Sequence, residues 1–166
     1  MVRLRPSIAA SLVRLQAMTA FADPVFQAFT LSVAVIVVTL YALGFLTAKR
    51  RAERKIVVNH EDTVVTPGAS VADAEHPDVL RLKRAHLNLL EGAVPFFAIG
   101  LLYTFTGPSV TVARVLFGSF VVARLFHAAF YVGAKQPLRT AAFALGALAN
   151  LVMVVQVLRT LLPAMF

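Results

Sequence analysis

The chain has 166 residues, 59% of them hydrophobic and only 14% charged, and its mean hydropathy is +0.79. Soluble domains run at about 45–50% apolar and about 25% charged, so this composition excludes both an ordinary water-soluble globule and a disordered chain. With no cysteine, the chain has no disulfide, no thiolate metal site and no cysteine nucleophile of its own; its net charge of +8 raises the question of a nucleic-acid partner.

Residues 1–24 open with Arg3 and Arg5 ahead of an apolar run, and Ala20, Phe21 and Ala22 resemble a signal-peptidase site. Arg14 and Gln16 interrupt the core such a signal needs, so the expectation is an amphipathic segment lying at a membrane interface, with a cleaved signal as the alternative. Residues 25–166 form the main domain. Its first apolar block, residues 25–48, carries no charge and is long enough to cross a hydrocarbon core of about 30 Å as a helix.

The polar stretch 50–74 follows, with Asn59-His60-Glu61-Asp62 and Thr66-Pro67-Gly68 runs that read as turns rather than a folded subdomain. Pro77, between His76 and Asp78, marks the start of a second helix that runs on through an uncharged block, 92–113. Gly107-Pro108 makes a tight turn into a third block, 115–134, apolar except for Arg124. Gly133 and Pro137 punctuate the short connection to a fourth block, 140–158, uncharged again. These blocks are too apolar for surface helices and too long for buried strands. The expected fold is all-α: an integral membrane four-helix bundle with helices near 25–50, 77–105, 109–133 and 137–163.

Charge sets the orientation. Lys49, Arg50, Arg51, Arg54, Lys55, Arg81, Lys83 and Arg84 flank the first connection, and Lys135 and Arg139 the third. The positive-inside rule then turns these two connections to the cytoplasm, against the vote of Arg3, Arg5 and Arg14. Cations placed this way serve a bilayer, not a nucleic acid.

Within the helices, polar residues converge. Arg81, Arg84, Asn88 and Glu91 are spaced three, four and three apart, which puts them on one helix face, with Pro95 a turn later. Arg124, His127 and Tyr131 share a face of the third helix, and Arg139 opens the fourth. All lie toward the cytoplasmic end, where the N-termini of the second and fourth helices add their positive dipole ends. The expectation is a basic, partly embedded pocket with one strong carboxylate, suited to a small anionic ligand. Blander roles compete: Arg81, Lys83 and Arg84 as interface anchors, a structural Glu91–Arg124 ion pair, His86 and His127 as packing residues, and Tyr103 in an interfacial aromatic belt. His60 and His76 lack metal-ligand spacing, and no metal site is expected.

The run Arg84-Ala85-His86-Leu87-Asn88-x-x-Glu91-x-x-x-Pro95, continuing to Gly107-Pro108, resembles the signature of the MAPEG superfamily, the membrane-associated proteins of eicosanoid and glutathione metabolism. Arg124-x-x-His127-x-x-x-Tyr131 with Gln136-Pro137-Leu138-Arg139 is a second match, and Arg51 with Asn59-x-Glu61-Asp62 a weaker third. The resemblance implies a homotrimer with glutathione held between neighbouring subunits near the cytoplasmic face. The implied glutathione contacts are Arg51, Arg84, Asn88, Glu91, Arg124, His127, Tyr131 and Arg139. Implied catalytic roles fall to Arg139 beside the sulfur, to Thr140 and to Asp62.

The function expected is conjugation of glutathione to lipophilic electrophiles arriving from the bilayer, with peroxidase activity on lipid hydroperoxides as an extension. A glutathione-dependent isomerase of lipid peroxides is the second reading, made weaker by Leu87, Leu89, Ala128, Thr140 and Phe143, which depart from that branch of the superfamily. A non-catalytic lipid-binding scaffold and a proton-coupled carrier built on Glu91 are the readings from other classes; the absence of repeats and broken helices argues against the carrier.

Overall fold

A computed structural model describes residues 21–165. The interfacial or signal-like segment expected in residues 1–24 lies outside it, apart from its last four residues.

The first long helix, α1 (Pro24–Arg54), starts where Asp23 accepts hydrogen bonds from the Val25 and Phe26 backbone N–H groups at 2.7 and 3.0 Å. Proline at its first position has no N–H to waste. The helix ends at Lys55, which takes a left-handed conformation (φ 51°). Two later helices are capped as locally. The His76 Nδ1 accepts from the Asp78 N–H at the head of α3 (Pro77–Thr104), and the Ser109 Oγ accepts from the Val112 N–H at the head of α4 (Val110–Val132). The last long helix is α5 (Gln136–Leu161), followed by a single 3-10 turn, Leu162–Ala164. All four are long and apolar enough to cross a membrane.

Helices α3 and α4 each pack against all three of the other long helices and so form the middle of the bundle. The buried side of α1 is a thin stripe of Val25, Phe29, Ser32, Ile36 and Leu43; Leu31, Val38, Tyr41 and Phe45 face outward. Such an apolar exterior would be a liability in water and is ordinary against lipid.

The core is aromatic. The Phe96 ring of α3 stacks on Phe120 of α4 at 4.0 Å, and Phe29 and Phe117 close around them. A Cβ on Gly100 would stand 2.7 Å from the Phe29 ring, so the glycine is what admits that ring. Tyr103 corrects an expectation: instead of joining an interfacial belt it is fully buried, its hydroxyl donating to Gln156 Oε1 at 2.9 Å.

The connection between α1 and α3 also differs from the turns expected. A two-residue strand β1 (Ile56–Val57) pairs in parallel with β2 (Ser70–Val71), on either side of a one-turn helix α2 (Asp62–Val65). The Ser70 and Ala72 N–H groups donate to the Lys55 and Val57 carbonyls at 2.9 Å each, and Val57 is fully buried. Polar composition concealed this element, because a single buried valine anchors it.

Candidate functional site

Arg84 of α3, Tyr131 near the end of α4 and Arg139 from the first turns of α5 line one cleft of about 470 Å³, together with Pro77, Leu80, Arg81 and Ala134. The spacing of α4 carries the site inward from this mouth. The Arg139 guanidinium carbon lies 4.4 Å over the Tyr131 ring, a cation–π contact. Tyr131 meets His127 edge to face at 5.8 Å, and His127 packs on Phe143 at 6.0 Å. Arg124 follows one turn deeper, its guanidinium carbon 5.2 and 5.3 Å from the Phe143 and Phe120 rings. The three residues expected to share a face of α4 therefore do so, and they descend in file from the cleft into the bundle.

Arg124 is the deepest member. It is 3% exposed, and its Nε and Nη1 have no hydrogen-bond partner. Two glycines make room for it. A Cβ on Gly92 of α3 would overlap the guanidinium, and one on Gly146 of α5 would stand 3.2 Å from its Nε. Sequence reasoning missed both glycines. The available signal was a glycine inside an apolar membrane helix, which marks a close approach by something from a neighbouring helix. A buried guanidinium without an anion is costly, and among the described residues this one lies beside the Phe120 and Phe143 rings with no carboxylate paired to it.

The structural ion pair between Glu91 and Arg124, weighed as an alternative, is absent from the described residues. Helix rotation explains why. Leu89, Gly92, Ala93 and Phe96 point into the core, while Glu91 is exposed on the opposite side of α3. Arg84 is likewise exposed there, and the Asn88 amide donates back to the Arg84 carbonyl at 2.9 Å. Pro95 has no N–H to offer the Glu91 carbonyl four residues before it, which weakens the helix ladder at that level.

Arg51 stands apart from this file. It borders a second groove of about 510 Å³ on the α1 side of α3, which it shares with Lys83, Arg84 and Leu87. Arg84 is common to both grooves. Arg51 also pairs with Glu75, whose other oxygen lies 3.0 Å from Lys83 Nζ. Burial by itself raises the Glu75 pKa, but Lys83 and Arg51 outweigh it and hold the carboxyl below its ordinary value of 4.5. Sequence reasoning missed Glu75 as well.

Of the other expected residues, Thr140 is exposed and its hydroxyl donates to the Gln136 carbonyl at 3.4 Å. Asp62 receives the Asn59 amide at 3.4 Å and accepts the Thr66 N–H at its carbonyl. Those bonds lie within its own loop and bring it to neither groove. Among the described residues no cluster of His, Asp and Glu has the makings of a metal site.

Comparison with known proteins gives a family and two kinds of relative. The family model described as "MAPEG family" matches residues 29–159. "Prostaglandin E synthase" of Homo sapiens is 33% identical over 137 residues, spanning 82% of this chain and 90% of that protein. "Microsomal glutathione S-transferase 1" of Rattus norvegicus is 37% identical over 142 residues, spanning 83% and 92%. Its Homo sapiens counterpart is 38% identical over 128 residues, spanning 75% and 83%.

Proposed function

The chain belongs to the MAPEG family, and from that premise we propose that this multi-pass membrane protein is a glutathione transferase acting on lipophilic electrophiles. The observation that carries the reading is the file Arg139–Tyr131–His127–Arg124 beneath a cleft that Arg84 also lines. Glutathione offers two carboxylates, an ammonium group, amides and a thiol. Arg84 and Arg124 suit its carboxylates through charge-assisted bonds, Asn88 suits its amides, and Glu91 its ammonium. Names carried by relatives at 32–38% identity, glutathione S-transferase among them, point to the same ligand.

The chemistry asked of the chain is modest. The free thiol has a pKa of about 8.5 and reacts as its thiolate. Arg139, always cationic, stabilises the sulfur anion while the proton leaves to solvent. The sulfur then bonds to the electrophilic carbon of the second substrate, and the electron pair passes to that substrate's leaving group or conjugated acceptor. The second substrate reaches the sulfur from the bilayer, along the apolar helix flanks. The glutathione site faces the cytoplasm in this reading, as the charge distribution directs.

A homotrimer belongs to the proposal. Arg51 lies on the α1 side and Arg139 on the α5 side of one chain, so a neighbouring copy lets the two cations serve a single ligand and covers Glu91. A glutathione-dependent isomerase is the second reading, in keeping with the relatives named prostaglandin E synthase. Against it, Phe143 places a ring without a hydroxyl over Arg124 and His127.

The test is titration calorimetry of detergent-solubilised protein with glutathione, followed by turnover of an aryl halide. Binding with conjugate formation supports the transferase. Binding with rearrangement of a lipid endoperoxide and no conjugate supports the isomerase. An absence of binding removes both.

A further inference from the structure

Glu75 sits between β2 and α3, outside the membrane-spanning helices, yet its side chain is only 7% exposed. A carboxylate goes under cover where cations attend it. Arg51 reaches it from the last turns of α1 and Lys83 from the second turn of α3, one to each oxygen. The segment carrying Glu75 is itself fixed, because the β1–β2 pairing and buried Val57 staple the connection to the bundle.

The arrangement holds Arg51 without covering it. The Arg51 side chain keeps 29% exposure and borders the groove it shares with Arg84, so the guanidinium is gripped on one side and open on another. Its Nε is buried without a hydrogen-bond partner, which leaves the Glu75 contact to fix its plane. A long side chain ordered before the ligand arrives spares that ligand the ordering cost. An arginine fork is also useful only when its plane matches the carboxylate it receives. Lys83 offsets the charge that Glu75 takes away, so the cluster remains net cationic.

We propose that Glu75 is a positioning residue, holding Arg51 in the orientation that receives a carboxylate of glutathione. The proposal rests on the glutathione reading above.

The experiment compares wild type, Glu75→Asp and Glu75→Gln in detergent, with the KM for glutathione and kcat measured separately and thermal unfolding measured on the same samples. Glu75→Gln should raise the KM for glutathione about tenfold, the worth of one charge-assisted hydrogen bond. Its kcat at saturating glutathione and its KM for the electrophile should stay within about twofold. Glu75→Asp keeps the charge on a shorter arm, and its KM should fall between the other two. An unchanged KM in Glu75→Gln overturns the proposal, and does so equally if the unfolding temperature drops, since that is a purely structural role. Should Glu75→Gln fail to fold, an unchanged KM in Glu75→Asp overturns it. If wild type binds no glutathione in the calorimeter, the functional reading fails and takes this proposal with it, a result distinct from wild-type binding that the variants leave unaltered.

Discussion

The Arg124 guanidinium occupies the space that a side chain on residue 92 would fill. Gly92→Ala must therefore displace a buried cation or push α3 off α4. Forcing a methyl group into a packed site costs about 1–3 kcal/mol, and part of that cost belongs to Arg124 alone. In an Arg124→Ala background the same glycine substitution should lose at least half its effect. Thermal unfolding of the four members of this cycle in detergent checks it, and strictly additive losses would show that the two residues do not share the space.

Arg139 faces the cleft from α5 and lies over the Tyr131 ring. Lowering a thiol pKa by two units takes about 2.7 kcal/mol of preference for the anion, and one charge-assisted hydrogen bond supplies about 1.5–3 kcal/mol. Arg139→Ala should still bind glutathione but lose tenfold or more of its activity at neutral pH, with partial recovery as the pH rises. Ultraviolet titration of the thiolate in glutathione-saturated protein is the measurement. Superimposable curves for wild type and variant would pass the role to Arg51 or Thr140.

Glu91 is exposed on an outward face of α3, inside a helix long and apolar enough to cross a membrane. A charge at the centre of a membrane helix costs about 2.5–3.5 kcal/mol against lipid, and in the homotrimer proposed above a neighbouring copy would cover Glu91. The protein should run as a trimer in native mass spectrometry from mild detergent and cross-link to trimer in intact membranes. Monomer alone in both measurements would rule this out.

The cluster of Glu75, Arg51 and Lys83 predicts acid sensitivity. Because the Glu75 pKa is lowered in the folded state from its ordinary 4.5, its pairing contributes stability fully above that value. The contribution is lost as pH falls from about 4.5 through the lower folded pKa. Unfolding temperature should therefore decline below about pH 4.5 more steeply in wild type than in Glu75→Gln. Parallel profiles would mean that the pairing adds nothing to stability.

The helices were legible because their signals are local. Apolar runs gave their number, and Pro77, Gly107-Pro108, Gly133 and Pro137 their ends. The alignment of Arg124, His127 and Tyr131 followed from spacing along one helix. Contacts that depend on how one helix is rotated against another were not legible. One residue of α3 subtends about 100° of helix, which is enough to turn Gly92 inward beside Arg124 and leave Glu91 outside. The same rotation carries Tyr103 into the core, where a hydropathy average reads only its depth. Glu75 was hidden for another reason: it meets Arg51 across 24 residues of chain, and the β1–β2 pairing that brings them together has two residues in each strand.

The stacked rings of Phe96 and Phe120, with Phe29 and Phe117 beside them and Tyr103 beyond, fill the bundle between Arg124 and the opposite membrane face. Phe96, Phe117, Phe120 and Tyr103 are fully buried there, and the Tyr103 hydroxyl is spent on Gln156. The file of polar side chains that starts at the Arg139 cleft ends at Arg124, against a floor of aromatic rings. In the transferase reading, a charged ligand comes and goes by the cleft, while an oily partner approaches from the side. On that reading, two reactants of opposite solubility would then reach one site by different routes.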